Sequence, residues 1–203
     1  MATKHDQNRA EKRERLVKAG IEAFTEAGYD NTTVSDIVRR AGMTPSTFYN
    51  YYRDKDALRD ELLETVASQM VAGLATIRRR AQGVEEYVRM ACRGLFAAMV
   101  QDKTNAMLLK RNLPLLRSMI DSKALAPVYT AIRRDLEGAA SQGLVEVAEI
   151  DYATAAMRAA ALEIGISLLT RPNADVAGAV DFAARMLSAA LRARDAGSGP
   201  SGS

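Results

Sequence analysis

The chain has 203 residues, enough for one compact unit or a small domain carried on a larger one. Hydrophobic residues make up 48% and the formal net charge is +3, so a sizeable core is available and bulk charge alone does not point to nucleic acid. A single cysteine and a single histidine exclude an intrachain disulfide and leave no ligand set for a zinc site. Ala, Leu, Arg and Glu dominate and period-two alternation of Val and Ile is nearly absent, which predicts an all-α protein.

Residues 1–7 form a polar arm, expected to fray. From about residue 8 to 27 a helix is predicted, with Leu16, Ala19, Ile21, Ala23 and Phe24 as its apolar stripe. Gly28 can take the left-handed conformation that ends it. Thr33 then caps a short helix, with Asp36 three residues on completing a Thr-x-x-Asp capping box, and Gly42 stops that helix. Thr44 is the next cap and Pro45 occupies the first helical position, where a missing N–H costs nothing. Asp54 caps a third start. A short helix, a tight glycine turn and a second short helix form a helix-turn-helix layout.

At about 100° per residue, Phe48 and Tyr52 of the second helix share one side, and Ser46, Tyr49 and Asn50 share the opposite side. An outward face of hydroxyls, a tyrosine and an amide can donate to phosphate oxygens and read base edges. The stretch 28–58 resembles the DNA-binding signature of the tetracycline-repressor (TetR) family. Thr32-Thr33-Val34, Ile37, Ala41-Gly42, Thr47-Phe48-Tyr49, Tyr51-Tyr52 and Lys55-Asp56-Ala57-Leu58 carry the resemblance. It covers the N-terminal quarter of the chain. Beyond that, only length and helical character are similar.

The resemblance implies an N-terminal three-helix domain with a helix-turn-helix (residues 1–53), a C-terminal helical ligand-binding and dimerisation domain (54–196) and a flexible Gly/Ser tail (197–203). It implies that Thr33, Tyr49 and Lys55 hold phosphates, and that Thr44, Pro45, Ser46 and Asn50 meet bases, with Thr47 on the flank. Tyr51 falls inward on the wheel, yet the family signature uses its position for phosphate. In related repressors the N-terminal arm touches DNA, which nominates Lys4 and Arg9. The implied partner is a palindromic double-stranded operator, read by a homodimer.

Further along, residues 54–80 read as one long helix with Leu58, Leu62, Val66, Met70 and Leu74 facing the core. It is expected to link the two halves mechanically. Helices follow over about 84–101 and 106–120, the second broken by Pro114. Another is predicted over 123–141, ended by Gly143. The last two, about 149–170 and 175–195, are rich in alanine and broadly apolar. Small side chains permit close helix approach, and the family uses two such helices per subunit as a four-helix dimer interface.

The C-terminal core is the candidate site for a small apolar or amphipathic ligand. Met70, Leu74, Phe96, Met99, Met107, Leu108, Leu113, Tyr129, Met157 and Ile166 are its expected lining, since methionine suits an adaptable apolar pocket. Asn105, Asn112, Arg111, Tyr129 and Arg158 are polar groups able to orient a ligand. No cofactor and no metal site is expected. No nucleophile elbow, phosphate loop, dinucleotide fingerprint or His-Glu-x-x-His is present, so no catalytic residue is assigned. The acids Glu85 and Glu86 open a helix, where the dipole accounts for them. There is no signal-like apolar run at the N-terminus, and Arg158 and Glu163 interrupt the longest apolar stretch, so no membrane span is expected and a cytoplasmic location is. The alternative function is an interaction protein that keeps this fold without reading DNA.

Overall fold

The computed structural model describes residues 4–145, 150–189 and 191. The described residues form ten α-helices and two 3₁₀ turns, with no strand among them. The elements are α1 (Lys4–Ala27), α2 (Val34–Ala41), α3 (Pro45–Tyr49), α4 (Lys55–Arg80), α5 (Val84–Val100), α6 (Lys103–Arg111), α7 (Leu113–Ser118), the 3₁₀ turns Met119–Asp121 and Lys123–Leu125, α8 (Ala126–Ser141), α9 (Ile150–Thr170) and α10 (Val176–Ala189). The Gly/Ser tail and the end of the last predicted helix lie outside the described residues.

Local signals set most boundaries. Gly28 and Gly42 have φ of 84° and 62°, the left-handed conformation that lets a helix turn off without a Cβ penalty. Thr33 and Asp36 close a full capping box at α2. Thr44 and Asp54 cap α3 and α4 through their side chains. The proline at 114 divides the run 106–120: α6 ends at Arg111 and α7 starts at Leu113. Two expectations shift. Residues 4–7 are not a loose arm but the first turn of α1. The helix expected from 123 starts at Ala126, after a 3₁₀ turn, with Pro127 in its first turn.

The first core gathers Leu16, Ala19, Ala23 and Phe24 of α1 with Tyr29, Ile37, Val38, Phe48, Tyr52 and Leu58. Burying large side chains such as Phe48, Leu16 and Ile37 stabilises this unit by about 1.5–3 kcal/mol each. The second core joins α5, α8, α9 and α10 through Val88, Cys92, Phe96, Leu136, Leu168, Val180, Ala183 and Leu187. A smaller cluster locks α4 to α8 through Ala67, Leu74, Val128 and Ala131.

The expected α4 stripe is only partly inward. Leu58 and Leu74 are buried, Leu62 and Met70 are half-buried, and Val66 is 47% exposed. Steps of four residues overshoot a full turn by about 40° each, so such a stripe drifts round the helix. Here α4 leaves one core at Leu58 and enters another at Ala67, and Val66 sits between them.

Candidate nucleic-acid interface

The face of α3 is built from its buried side outward. Phe48 is fully buried and packs on Tyr52, ring centroids 5.5 Å apart. That anchor turns the opposite side to solvent: Thr44, Pro45, Ser46 and Asn50 are exposed, and Tyr49 is 57% exposed. Tyr49 meets the Phe48 ring edge-on at 5.7 Å. Thr44, Ser46 and Thr47 form a hydroxyl cluster at the start of α3, with Thr44 Oγ1 3.2 Å from Ser46 Oγ and 3.0 Å from Thr47 Oγ1. Thr44 Oγ1 also accepts from Thr47 N at 3.4 Å. Thr33, exposed at the start of α2, donates its hydroxyl to Asp36 Oδ2 at 2.6 Å. Thr33, Thr44, Pro45, Ser46, Tyr49 and Asn50 are therefore all on exposed surface of the helix-turn-helix.

Tyr51 and Lys55 are placed differently. Tyr51 is half-buried on a cleft of about 370 Å³ shared with Arg13, Tyr52, Arg53 and Glu61. Burial pushes the neighbouring Tyr52 hydroxyl up to about 12. Lys55 Nζ donates to the carbonyls of Tyr29, Thr32 and Asp30 at 2.8, 3.0 and 3.4 Å, and lies 4.4 Å from the Tyr29 ring centroid. Its three donors are all engaged, so it braces the α1–α2 turn. Two exposed cations escaped the sequence reading: Arg39, paired with Asp36 at 2.9 Å, and Arg53, paired with Asp54 at 3.1 Å.

The polar groups expected around a ligand divide. Arg111 and Asn112 face α1 instead: Arg111 Nη2 donates to Glu26 O at 2.9 Å, and Asn112 bonds Tyr29 and Phe24. Asn105 Nδ2 donates to Ala98 O at 2.5 Å. Tyr129 and Arg158 do meet, the guanidinium 4.7 Å from the ring centroid.

The expected apolar lining splits likewise. Phe96, Met99 and Ile166 are buried together on α5 and α9, where Met99 Sδ fills the space beside Gly165. Met157 packs at the edge of the same core. Met70 and Leu74 lie on the α4–α8 cluster. Leu108 packs against the first core, Leu113 is half-buried, and Met107 is 61% exposed. A second cleft, about 260 Å³, opens between α8 and α9 beside Tyr129 and Arg158.

Cys92 is buried, and burial pushes its thiol up to about 11. No group of three or more His, Cys, Asp or Glu suited to a metal occurs among the described residues. Among the described residues one helix, α9, is long and apolar enough by length and composition to cross a membrane. Its Arg158 pairs with Asp121 at 2.9 Å and its Glu163 with Arg117 at 2.9 Å, and its inner side packs on the second core.

The architecture is a three-helix unit displaying a helix-turn-helix, the layout of a DNA-binding unit, on a larger all-α body. Residues 16–62 match the family of bacterial regulatory proteins, tetR family, so the N-terminal unit is of the TetR type. Over 76 residues the chain is 36% identical to the uncharacterized HTH-type transcriptional regulator YvdT of Bacillus subtilis, covering 37% of this chain and 38% of that one. Over 96 residues it is 31% identical to the HTH-type transcriptional regulator BetI 1 of Chromohalobacter salexigens, 46% of each chain. The matches thus span less than half the length of either relative. Among solved structures, the fatty acid degradation regulator FadR from Bacillus halodurans aligns over 90% of this chain and 97% of its own, with TM-score 0.73 at 20% identity. FadR from Bacillus subtilis in complex with stearoyl-CoA covers 88% and 99%, with TM-score 0.75 at 17% identity. Those two similarities extend the shared fold to the C-terminal helices.

Proposed function

We propose that this chain is a dimeric, cytoplasmic transcriptional regulator, acting as a repressor, that reads a palindromic operator and is controlled by a small ligand. The observation that carries the reading is the α3 face: Thr44, Ser46, Tyr49 and Asn50 stand exposed over a buried Phe48, inside the segment matched to the tetR family. In this reading each α3 enters a major groove. Thr33, Thr47, Tyr49 and Tyr51 approach phosphates, with Arg39 and Arg53 at the margins. Thr44, Pro45, Ser46 and Asn50 approach base edges. A bidentate Asn–adenine pair contributes about 1–3 kcal/mol of discrimination. Lys55 acts by fixing the α1–α2 turn rather than by reaching the backbone.

Dimerisation is supported by the last two helices. Tyr152 on α9 is 74% exposed and Phe182 on α10 is 52% exposed, with Ala155, Ala156, Ala159 and Met186 exposed on the same two helices. Ligand control by an apolar or amphipathic compound is supported by the methionine-rich core and by the structural likeness to a regulator solved with stearoyl-CoA. Such a ligand must prefer one spacing of the two reading heads, or it shifts nothing.

The test is a selection of genomic and random DNA fragments on the purified protein, with Tyr49→Ala as control and salt held fixed. A palindromic consensus that disappears in the variant is the expected result. Equal, sequence-independent recovery by both proteins would leave the interaction-protein reading in its place.

A further inference from the structure

Arg158 is held in an unusual way. It projects from α9 into the 260 Å³ cleft against α8. Tyr129 supports one side of its guanidinium at 4.7 Å. Nη2 lies 2.9 Å from Asp121 Oδ1 in an ion pair. Nε is buried and meets no acceptor among the described residues. In arginine, Nε and Nη2 form the side-on edge that matches the two oxygens of one carboxylate. Asp121 neutralises the Nη2 end of that edge as an ion pair and leaves Nε unmet. An unmet buried N–H is costly, so an acceptor that satisfies both donors is favoured over one that satisfies one.

Asp121 is also an exposed residue, on the 3₁₀ turn Met119–Asp121 rather than on a long helix. Its hold on Arg158 is a single contact, which solvent and a competing anion can replace. The next residue, Ser122, has a buried hydroxyl that likewise meets no partner. The cleft walls add Thr154 and Ala155 of α9, small side chains beside the guanidinium. Arg133, the other cation on the cleft, is already paired with Glu137 at 2.9 Å and Asp151 at 2.5 Å. That leaves Arg158 as the group with capacity for a ligand oxygen.

We propose that Arg158 anchors a carboxylate subsite in the α8–α9 cleft, where the carboxyl group of a small monocarboxylic acid takes the Nε–Nη2 edge and displaces Asp121. The volume suits a short or single-ring acid. Displacement removes one tie on the stretch that runs back from Asp121 through α7 to Asn112, which is bonded to the helix-turn-helix unit; the Arg117–Glu163 pair and the packing of Leu115 remain. The subsite thus deepens the ligand-controlled reading and rests on it for any effect on DNA, but binding itself stands apart from DNA.

The experiment is calorimetry on the full-length protein without DNA, at fixed ionic strength. The probes are sodium hexanoate and sodium benzoate, each against its own amide, with inorganic phosphate as a further arm. Either acid is expected to bind saturably, and neither amide. Arg158→Gln should abolish binding while its circular dichroism stays unchanged. Asp121→Asn removes the internal competitor and should tighten binding by roughly fivefold or more, the size of one charge-assisted contact. The subsite is overturned if no acid binds, if amides or phosphate bind as well as the acids, or if Asp121→Asn leaves affinity unchanged. Acid binding that leaves operator affinity untouched would instead remove the ligand-control reading and keep the subsite.

Discussion

Asn112 and Tyr29 are 83 residues apart in sequence, yet the Asn112 side-chain oxygen accepts the Tyr29 backbone N–H at 2.6 Å. The same amide donates to Phe24 O at 3.1 Å and to Leu108 O at 2.7 Å. One side chain thus ties the α6–α7 break to the turn that leads into α2. Leu108 and Leu115 pack against the first core on either side of it. The joint between the two cores therefore includes α6 and α7 as well as the long helix α4. Asn112→Ala leaves a part-buried N–H without its acceptor and should lower stability by about 1–3 kcal/mol. Urea denaturation measures this. In the proposed regulator the variant also weakens the response of operator affinity to ligand. An unchanged midpoint would show the seam to be dispensable.

Lys55 gives a second prediction, because two roles differ in their salt dependence. A lysine that neutralises a phosphate contributes about 0.9 to the slope of log affinity against log salt. A lysine spent on the carbonyls of Tyr29, Asp30 and Thr32 contributes nothing to that slope. Lys55→Met should therefore lower the melting temperature, through the loss of roughly 2 kcal/mol of charge-assisted bonds, and keep the salt slope. A reduced slope with an unchanged melting temperature would return Lys55 to the phosphate backbone.

Tyr49 and Asn50 are separated by role. Tyr49→Phe removes one hydroxyl from exposed surface, so the fold should hold and every operator sequence should weaken alike. Asn50→Ala should relax preference at one base pair, by about 1–3 kcal/mol of lost discrimination. Fluorescence anisotropy on an operator and its single-base variants distinguishes the two. Equal discrimination by Asn50→Ala and the parent chain would take Asn50 out of base reading.

What was readable in the sequence and what was not follow from range. Caps and stops are local chemistry: Thr33 with Asp36, Thr44 with Pro45, and Gly42 each act within four residues, and the helix-turn-helix follows from them. The inward Phe48 follows from helical period, and Tyr52, past the end of α3, keeps that side because its N–H still bonds Phe48 O at 3.0 Å. Lys55 could not be oriented this way, since its acceptors lie more than 20 residues away on a turn whose path the sequence does not state. Asn112 looked like a ligand-facing amide because α6 sits in the half expected to bind a ligand, and only packing shows it turned onto α1. Val66 fits an apolar stripe but falls where α4 passes between two cores, so period overstates its burial, and Met107 is exposed although its neighbour Leu108 packs on the first core. The carboxylate-ready edge of Arg158 had no sequence signal beyond a charge inside an apolar run.

The α9–α10 face leads to a prediction on assembly. Phe182 is a large exposed aromatic on α10 next to Asp181, which pairs with Arg89 of α5. Phe182→Glu places a charge where the proposed partner helix packs and should raise the dimer dissociation constant at least about thirtyfold, the effect of losing an aromatic anchor of ~2 kcal/mol. Sedimentation velocity over a concentration series reads this, and operator affinity should fall with the dimer. A variant that stays dimeric would move the interface elsewhere.

The last prediction concerns acid. Hydrogen bonds from the Thr33 side chain and backbone hold the Asp36 carboxyl below its ordinary 3.8, with Arg39 and Arg40 adding attraction. A depressed carboxylate contributes stability above its unfolded value and loses it as pH falls through its folded value. At neutral pH the box is intact, and Thr33→Ala should lower stability by about 1 kcal/mol. As pH drops below 3.8 Asp36 takes up a proton in both proteins, and the difference between them should shrink. Glu163, held low by Arg117, follows the same sign but sits on α9, so Thr33→Ala leaves its titration unchanged. Melting curves of both proteins between neutral pH and the acid range test this. A Thr33→Ala deficit that stays constant into the acid range would mean that the hydroxyl caps the α2 backbone without help from the Asp36 charge.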